Sequence, residues 1–306
     1  MTSTDVTPRI ERLSAISARR VIDPDTDVTG AVGEGQLVAD ELLSVRDLGL
    51  VLAPEQRRRL AREEVAAITE EGIRFEAVLM AGFSLGIQRS PAVTEPWITY
   101  ALHEMGEETR HSRLFVRLVE QLDPRARNPF NRGILGAVKR RFLGLIITRP
   151  ALLYTLVLAG EEIPDLIQKR QAEHPGTDPF LAAVNRYHRQ EEARHLAFAR
   201  IRLPEVWAGA PRLDRALVRR LAPFIIQCQL EGLLHPGIYR AAGLPGWSTW
   251  RAVHRSAALT ELRREATRPI LRELLGAGAF RRRSGRVTGA WRRLCGVDRS
   301  GRPLDA

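Results

Sequence analysis

The sequence has little of what marks a disulfide-stabilised, membrane-spanning or strand-rich protein. Its 306 residues include only two cysteines, Cys228 and Cys295, which lie 67 positions apart in neither a disulfide framework nor a metal or redox motif. Aromatic residues make up 6% of the chain, and the longest apolar runs, such as Leu143 to Ile147, are too short to cross a bilayer. We therefore expect a soluble, cytoplasmic protein in a reducing compartment.

The composition is instead typical of long helices. Apolar residues make up 44% of the chain, which is enough to bury a substantial core. Ala, Leu, Arg and Glu dominate, while Gly and Pro are widely spaced. An all-α fold is therefore expected before any motif is considered.

The net charge of +11 raises the question of nucleic-acid binding. Most arginines are spread along the predicted helices, and no helix-turn-helix or RNA-binding signature accompanies them. The one dense cluster, Arg281, Arg282, Arg283 and Arg286, lies in a segment that contains Gly and Ser. We interpret it as a solvated basic surface, with a phosphate-binding site as the alternative, and expect neither nucleic acid nor membrane as a partner.

Three parts of the chain are predicted. Residues 1–35 mix Pro, Asp, Thr and Gly without sustained periodicity and are expected to form an irregular N-terminal arm. Residues 36–275 form the helical domain, and residues 276–306 form a basic C-terminal tail.

Within the helical domain, the apolar pattern predicts two pairs of helices. The first pair covers 54–86 and 96–122, and the second covers 150–172 and 179–203. A long crossover over 123–150 joins them, which is the connectivity of a bundle with one long crossover. Further helices are predicted over 130–147, 212–233 and 247–275.

Each pair of helices carries one Glu-x-x-His motif, formed by Glu108 with His111 and by Glu192 with His195. Residues three apart lie on one face of a helix, so each motif can chelate a metal ion. A single copy has little weight, because Glu is common in this chain and the motif arises by chance.

A lone glutamate precedes each motif at nearly the same distance. Glu76 lies 32 residues before Glu108, and Glu161 lies 31 residues before Glu192. This repeated set is the ligand arrangement of carboxylate-bridged di-iron and di-manganese bundles. The alternatives are a Glu76–arginine ion pair and the replacement of Glu161 by the adjacent Glu162.

A third histidine, His188, lies four residues before Glu192 and on the same helix face, so it can reach the same site. The corresponding residue of the first half is Glu104, which we interpret as an exposed acid or as a partner of a ligand. Glu107 and Glu191 point away from the ligand face and are interpreted as surface charges or as partners of ligands.

Proline 164 follows Glu161 by three positions and removes one backbone hydrogen bond. A kink or bulge is therefore expected beside the proposed site, with a helix end as the alternative.

At these residues the chain resembles the para-aminobenzoate N-oxygenase family, ferritin-like di-iron oxygenases of bacterial secondary metabolism. The resemblance covers about residues 60–205. It implies a ferritin-like helical bundle with a di-metal site in its core. The metal ligands implied are Glu76, Glu108, His111, Glu161, His188, Glu192 and His195.

The same resemblance implies an oxidoreductase that holds two iron ions, with manganese as an alternative metal. Such an enzyme would take O2 as co-substrate and electrons from an external donor or reductase, and would oxidise the nitrogen of a small amine. No catalytic residue beyond the metal ligands is expected, and a homodimer is left open. The alternatives are a di-iron hydroxylase of a C–H substrate, a ferritin-like iron-binding protein without organic substrate, and a basic nucleic-acid-binding protein.

The substrate pocket is expected one helical turn from the ligands. The residues at these positions are Ile73, Met80, Phe115, Leu158 and Asp165. They predict an apolar pocket with one acid, and Asp165 would hold an amine or brace a ligand histidine.

Overall fold

The structure is a computed structural model that describes residues 6–280 and 286–304. Its regular elements are helices, and these described residues contain no β-strand. The helices are α1 (Thr7–Arg19), α2 (Pro24–Asp27), α3 (Pro54–Gln88), α4 (Pro96–Leu122), α5 (Gly133–Ile147), α6 (Pro150–Glu173), α7 (Pro179–Gly209), α8 (Arg212–Arg220), α9 (Ala222–Leu233), α10 (Pro236–Ala241), α11 (Gly246–Arg255), α12 (Ala257–Gly276) and α13 (Gly289–Cys295).

Four long helices, α3, α4, α6 and α7, form the bundle. Helix α3 packs against α4 and α6, and α7 packs against α6 and α4, while α5 lies in the crossover between the two pairs. The predicted all-α, ferritin-like bundle with one long crossover is therefore confirmed.

Prolines determine where the four bundle helices begin. Pro54, Pro96, Pro150 and Pro179 each lie in the first turn, where the missing N–H costs nothing and the fixed φ suits a helix. At the start of α7, the Asp178 carboxylate also accepts a hydrogen bond from the backbone N–H of Leu181 at 3.0 Å. These helix starts fix the register of the residues that follow.

The core of the bundle is divided by a layer of charged side chains. One apolar cluster, at the end where α3 finishes, contains Leu79, Phe83 and Phe198. A second, at the end where α3 starts, contains Val65 and Leu118. Between the clusters, the bundle buries Glu and His side chains that are almost entirely shielded from solvent.

The N-terminal segment differs from its prediction. Residues 1–35 were predicted to be irregular, but α1 forms there and packs against α4 and α7. Its inner face consists of Val6, Ile10, Leu13 and Ser17, at helical spacing. The helical pattern consists of only these four inward positions, which is too short to recognise among the surrounding Pro, Asp and Thr residues.

The C-terminal segment is also more than a basic tail. Helix α13 packs against α12, α9 and α8, and Trp291 is completely buried, with its Nε1 donating to the carbonyl of Val218 at 3.0 Å. Arg286 is exposed, whereas Arg281, Arg282 and Arg283 lie outside the described residues. The domain limits at residues 35 and 275 stay predictions.

Several helix limits were predicted incorrectly because of single residues. The segment 212–233 divides at Leu221 because Pro223 starts a new helix, and 247–275 divides at Ser256, whose hydroxyl caps α12. In contrast, α7 continues through Pro204 to Gly209, beyond its predicted end. Helix α6 continues through Pro164 as predicted, so the alternative of a helix end there is wrong. Both prolines lie in helices that are buried by tertiary packing, which offsets the lost hydrogen bond.

Length and apolarity decide whether a helix of the described residues can span a membrane. No single helix there is both long enough and apolar enough to cross a bilayer. Helices α5 and α6 reach the required length and composition only when they are taken together, and they are bent by 116° relative to each other.

Candidate metal centre

The charged layer contains all seven residues that were predicted as metal ligands. Each has a relative exposure of 5% or less, and they come from the four helices of the bundle. Helix α3 contributes Glu76, α4 contributes Glu108 and His111, α6 contributes Glu161, and α7 contributes His188, Glu192 and His195.

One group of potential ligands lies on the side of α3. Ligand atoms of Glu76, His111 and His188 all lie within 4.8 Å of one another. The rings of His111 and His188 have their centroids 4.6 Å apart. These three side chains can therefore hold one ion between α3, α4 and α7.

Two carboxylates lie in the middle of the layer. Glu108, His111 and Glu192 form a second group within 4.8 Å. Glu192 Oε1 lies 3.2 Å from both His111 Nδ1 and His188 Nε2, and Glu192 Oε2 lies 3.0 Å from His195 Nδ1. Glu192 therefore contacts histidines on both sides of the layer, so it would lie between two ions held by those histidines.

The third group lies on the opposite side and contains Glu104, Glu108 and His195. Glu161 also borders this side, since it is close enough to Glu192, Glu108 and His195 for their charges to change its pKa. The neighbouring Glu162 points away and forms an ion pair with Arg200. Of the two candidates on α6, it is thus Glu161 that faces the layer.

The outer nitrogens of two histidines are fixed by glutamates of the other helix. His111 on α4 contacts Glu191 on α7 through Nε2, at 3.0 Å, and His195 on α7 contacts Glu107 on α4 through Nε2, at 2.8 Å. When Nε2–H donates to the carboxylate, the Nδ1 lone pair is directed into the layer. Both rings are therefore oriented for metal binding.

Arginine completes this outer arrangement. Arg194 donates to Glu107 at 2.8 Å and to Glu191 at 3.3 Å, and Tyr187 donates its hydroxyl proton to Glu191 at 3.0 Å. Although burial opposes ionisation, the contacts with His195 and Arg194 lower the pKa of Glu107 to about 2. Glu107 and Glu191 are thus buried partners of the histidines rather than surface charges.

His188 is held differently, through its other nitrogen. Its Nδ1 lies 2.8 Å from Oε1 of Gln168 on α6, so that Nδ1–H can donate to the amide. This leaves the Nε2 lone pair directed at Glu192 and Glu76, at 3.2 and 3.7 Å.

Unpartnered oxygen atoms test whether these residues fit a metal. Within residues 6–280 and 286–304, one oxygen each of Glu76, Glu108, Glu161 and Glu192 is buried without a hydrogen bond of good geometry. Those of Glu108 and Glu192 face imidazole nitrogens at 3.1 and 3.2 Å, where a shared cation would lie. A buried carboxylate oxygen without a partner is costly, and a bound cation removes that cost. Four such oxygens beside three oriented imidazoles fit two divalent ions.

Without metal, protons must take the place of the cations. Burial raises the pKa of Glu161 well above its usual value. Burial opposes protonation of His111 and His195, but contacts with the surrounding carboxylates raise the pKa of both imidazoles well above the usual range. The metal-free site therefore holds several protons that a metal must displace.

A cavity of about 40 Å³ ends at the charged layer. Glu76, Glu161 and His188 form its inner end, and Gln171 and Asn185 also line it and are joined by a hydrogen bond of 3.0 Å. Its remaining walls include Val65, Phe75, Phe115 and Leu118. No Lys or Arg belongs to this lining among the described residues.

Of the predicted pocket residues, only Phe115 lines this cavity. Leu158 is completely buried in the first apolar cluster, and Ile73 packs against the second cluster. Met80 is half-buried and does not line the cavity. Asp165 accepts a hydrogen bond from Arg189 at 2.7 Å, so it neither braces a ligand histidine nor lies free for an amine. The cavity extends towards only one end of the antiparallel bundle, which helical spacing does not reveal.

Two residues of the site were not predicted in their observed roles. Gln168 lies seven residues after Glu161, two helical turns along the same face, which is the only sequence signal for it. Glu104 was interpreted as an exposed acid or as a partner of a ligand, yet it is completely buried inside the layer.

An all-α bundle that buries carboxylates and imidazoles from four helices defines a ferritin-like protein with a candidate di-metal centre. Residues 3–278 match the family described as P-aminobenzoate N-oxygenase AurF, and the chain belongs to that family. The protein is therefore an oxygenase of the di-iron class at the level of its family.

Curated relatives agree with the chain over most of its length. They include an uncharacterised protein of Mycobacterium bovis and uncharacterised proteins of two Mycobacterium tuberculosis strains. Each is 28% identical over 240 residues, which cover 73% of this chain and 68% of the relative. Their names state no activity.

Proposed function

We propose that the protein is a di-iron monooxygenase that transfers oxygen from O2 to the nitrogen of a small, uncharged amine of secondary metabolism. In its first step the amine, O2, two electrons and two protons give a hydroxylamine and water. The electrons come from an external reductant. The observation that carries the proposal is the cavity that ends on Glu76, Glu161 and His188.

In this proposal the chain divides the metal ligands between two ions. Glu76, His111 and His188 hold the first, Glu161 and His195 hold the second, and Glu108 and Glu192 lie between them. Two bound iron ions would supply the activation of O2, and manganese is the alternative metal. Each ligand histidine keeps its outer N–H proton on Glu107, Glu191 or Gln168.

The lining of the cavity supports an uncharged substrate. The carboxylate of para-aminobenzoate would have no Lys or Arg to pair with here, and an unpaired buried charge is costly. The amides of Gln171 and Asn185 can instead hydrogen-bond a neutral polar group. At about 40 Å³, the cavity is smaller than the apolar cavities of about 150 Å³ that hold benzene, so an aromatic amine requires lining side chains to move.

The experiment is an oxygenation assay with a matched pair of amines. The protein is loaded anaerobically with Fe(II), supplied with a chemical reductant, and exposed to O2 with either para-aminobenzoate or its ethyl ester. We expect substrate-dependent O2 consumption and N-oxygenated products, formed faster from the ester. Glu108→Ala serves as the metal-deficient control.

The competing functions give different results in the same assay. Iron uptake with mineral release and no substrate-dependent O2 consumption would favour an iron-storage role. Products oxygenated at carbon would favour a hydroxylase. Fewer than about one iron or manganese ion per chain after reconstitution would contradict the metal centre itself.

A further inference from the structure

Glu104 is a buried acid that the ligand set above does not use. It lies on α4, one turn before Glu108, and its exposure is 0%. Both of its carboxylate oxygens are buried without a hydrogen-bond partner in the described part of the chain, whereas each predicted ligand glutamate has one such oxygen. An acid in this position needs a cation or a proton.

The position of Glu104 is suited to a metal ion. One of its oxygens lies within 4.8 Å of ligand atoms of both Glu108 and His195. Oxygen and nitrogen donors lie about 2.0–2.2 Å from a bound divalent ion such as zinc, so two donors on one ion are at most about 4.4 Å apart. A small adjustment of these side chains would place all three around one ion.

No side chain that faces Glu104 forms a hydrogen bond with it in the described residues. Tyr100, one turn earlier on α4, has a buried hydroxyl that also lacks a hydrogen-bond partner among the described residues. Glu107, Glu108 and Glu192 act on Glu104 as like charges, and His195 is the neighbouring group that favours its ionisation. Arg194, which is close to Tyr100 and Glu107, donates instead to Glu107 and Glu191.

Glu104 and His188 occupy equivalent positions in the two helix pairs, and this equivalence indicates a role for Glu104. His188 lies four residues before Glu192 and faces the first ion position, and Glu104 lies four residues before Glu108 and faces the second. We propose that Glu104 is a fifth carboxylate of the centre and binds the second ion, as His188 binds the first. This inference rests on the metal centre of the proposed function.

The consequence is a centre with two unlike metal positions. The first position has two imidazoles, from His111 and His188. The second has one imidazole, from His195, and two carboxylates of its own, from Glu104 and Glu161. Because oxygen-rich sites suit Mn²⁺ and imidazole-rich sites suit Fe²⁺ and Zn²⁺, the second position accepts manganese more readily than the first.

The test compares Glu104→Gln with the native chain and with Glu120→Gln, which changes an exposed acid of the same helix. The probe is Mn(II) added anaerobically to metal-free protein. Stoichiometry and the two dissociation constants are measured by electron paramagnetic resonance and chelator competition. Thermal unfolding is recorded with and without Mn(II).

We expect the native chain and Glu120→Gln to bind two ions. Glu104→Gln should bind the first ion within about twofold of the native affinity and the second at least about tenfold more weakly. Its Tm without metal should equal or exceed the native value, because Gln has the shape of Glu and carries no charge, and its Tm with metal should fall, because a ligand is lost. A purely structural role would lower both Tm values.

Three results overturn the inference. The first is a second dissociation constant within about twofold of the native value, and the second is a lower Tm in both states. The third is a native chain that binds no metal. This result would also reject the proposed function, whereas the first two results reject only the role of Glu104. If Glu104→Gln does not fold, the same measurements are made on Glu104→His. Two bound ions, with the selectivity of the second position shifted from Mn(II) towards Zn(II), support the inference. An unchanged metal selectivity overturns it.

Discussion

The Nε2 atom of His195 lies 2.8 Å from Oε2 of Glu107, a residue of the neighbouring bundle helix. The reciprocal contact joins His111 of α4 to Glu191 of α7 at 3.0 Å. Each helix thus orients the metal-binding histidine of the other. Because both contacts cross the same interface, the orientation of the imidazoles depends on how α4 and α7 dock.

The first prediction concerns these two contacts. Glu107→Gln and Glu191→Gln keep an acceptor oxygen but remove the charge that makes the imidazole a better ligand. We expect each to weaken metal binding about 10- to 100-fold, with helix content unchanged. Chelator competition measures the affinity, and Glu120→Gln on the exposed face of α4 is the control. Affinities equal to those of the control would show that the carboxylates do not support the ligands.

A second prediction concerns Gln168, which fixes the ring of His188 through a contact of 2.8 Å. Gln168→Leu removes the acceptor and lets the ring rotate, so one of the two ions should bind at least about tenfold more weakly. Gln171→Leu is the matched control, because Gln171 lines the same cavity on the same helix but bonds Asn185 instead. Equal losses in both variants would point to a general effect on α6.

The third prediction is a dependence of stability on pH that reverses when metal binds. Carboxylate contacts raise the pKa values of His111 and His195 above the usual range, despite burial. The metal-free fold therefore gains stability from these protons below about pH 6.5 and loses it as the pH rises through the folded-state pKa values. Burial of Glu161, which also raises the pKa of that acid, acts in the same direction.

Metal-bound imidazoles carry no proton on the ligand nitrogen, so the metal-loaded protein should instead lose stability as the pH falls. Thermal unfolding between about pH 5.5 and 8.5, with and without metal, checks both slopes. Parallel slopes in the two states would contradict ligation by these histidines. Calorimetry in buffers of different ionisation enthalpy should also detect protons released when metal binds.

The fourth prediction concerns the close packing of Gly160 and Phe75 beside Glu161. A Cβ atom added to Gly160 would overlap the Phe75 ring, so the ring must move. We expect Gly160→Ala to lower the free energy of unfolding by about 1–3 kcal/mol and to reduce metal content. Gly144→Ala in α5, where nothing lies within 4 Å of the new Cβ, is the control.

A compensating variant tests the cause. If the clash with Phe75 is responsible, Gly160→Ala combined with Phe75→Leu should recover part of the lost stability, as coupled neighbours do. Additive losses measured by chemical unfolding would instead indicate that backbone freedom at Gly160 is what matters.

The sequence allowed prediction of the bundle and of the layer because both rest on local spacing. The repeat of a lone glutamate 32 and 31 residues before Glu-x-x-His depends only on helix length and loop length. It therefore indicated six of the residues that the fold gathers around one interior layer, and the position of His188 four residues before Glu192 indicated the seventh.

What could not be predicted depends on how helices pack. The cavity opens towards one end of the bundle, so Phe115 lines it while Met80 and Leu158 do not. The burial of Glu104 depends on the facing helices and not on its own neighbours in the chain. Helix α1 was missed because only its few inward residues show the period, and their burial comes from α4 and α7.

The charged layer between the two apolar clusters has a consequence for the life of the protein in a cell. When metal is scarce, the layer between the two apolar clusters is held by protons in place of cations, and those protons are lost as the pH rises. Local opening at the layer would then expose the helices that carry the ligands to proteases. The supply of metal would thereby set not only how much of the enzyme is active but also how long each molecule persists.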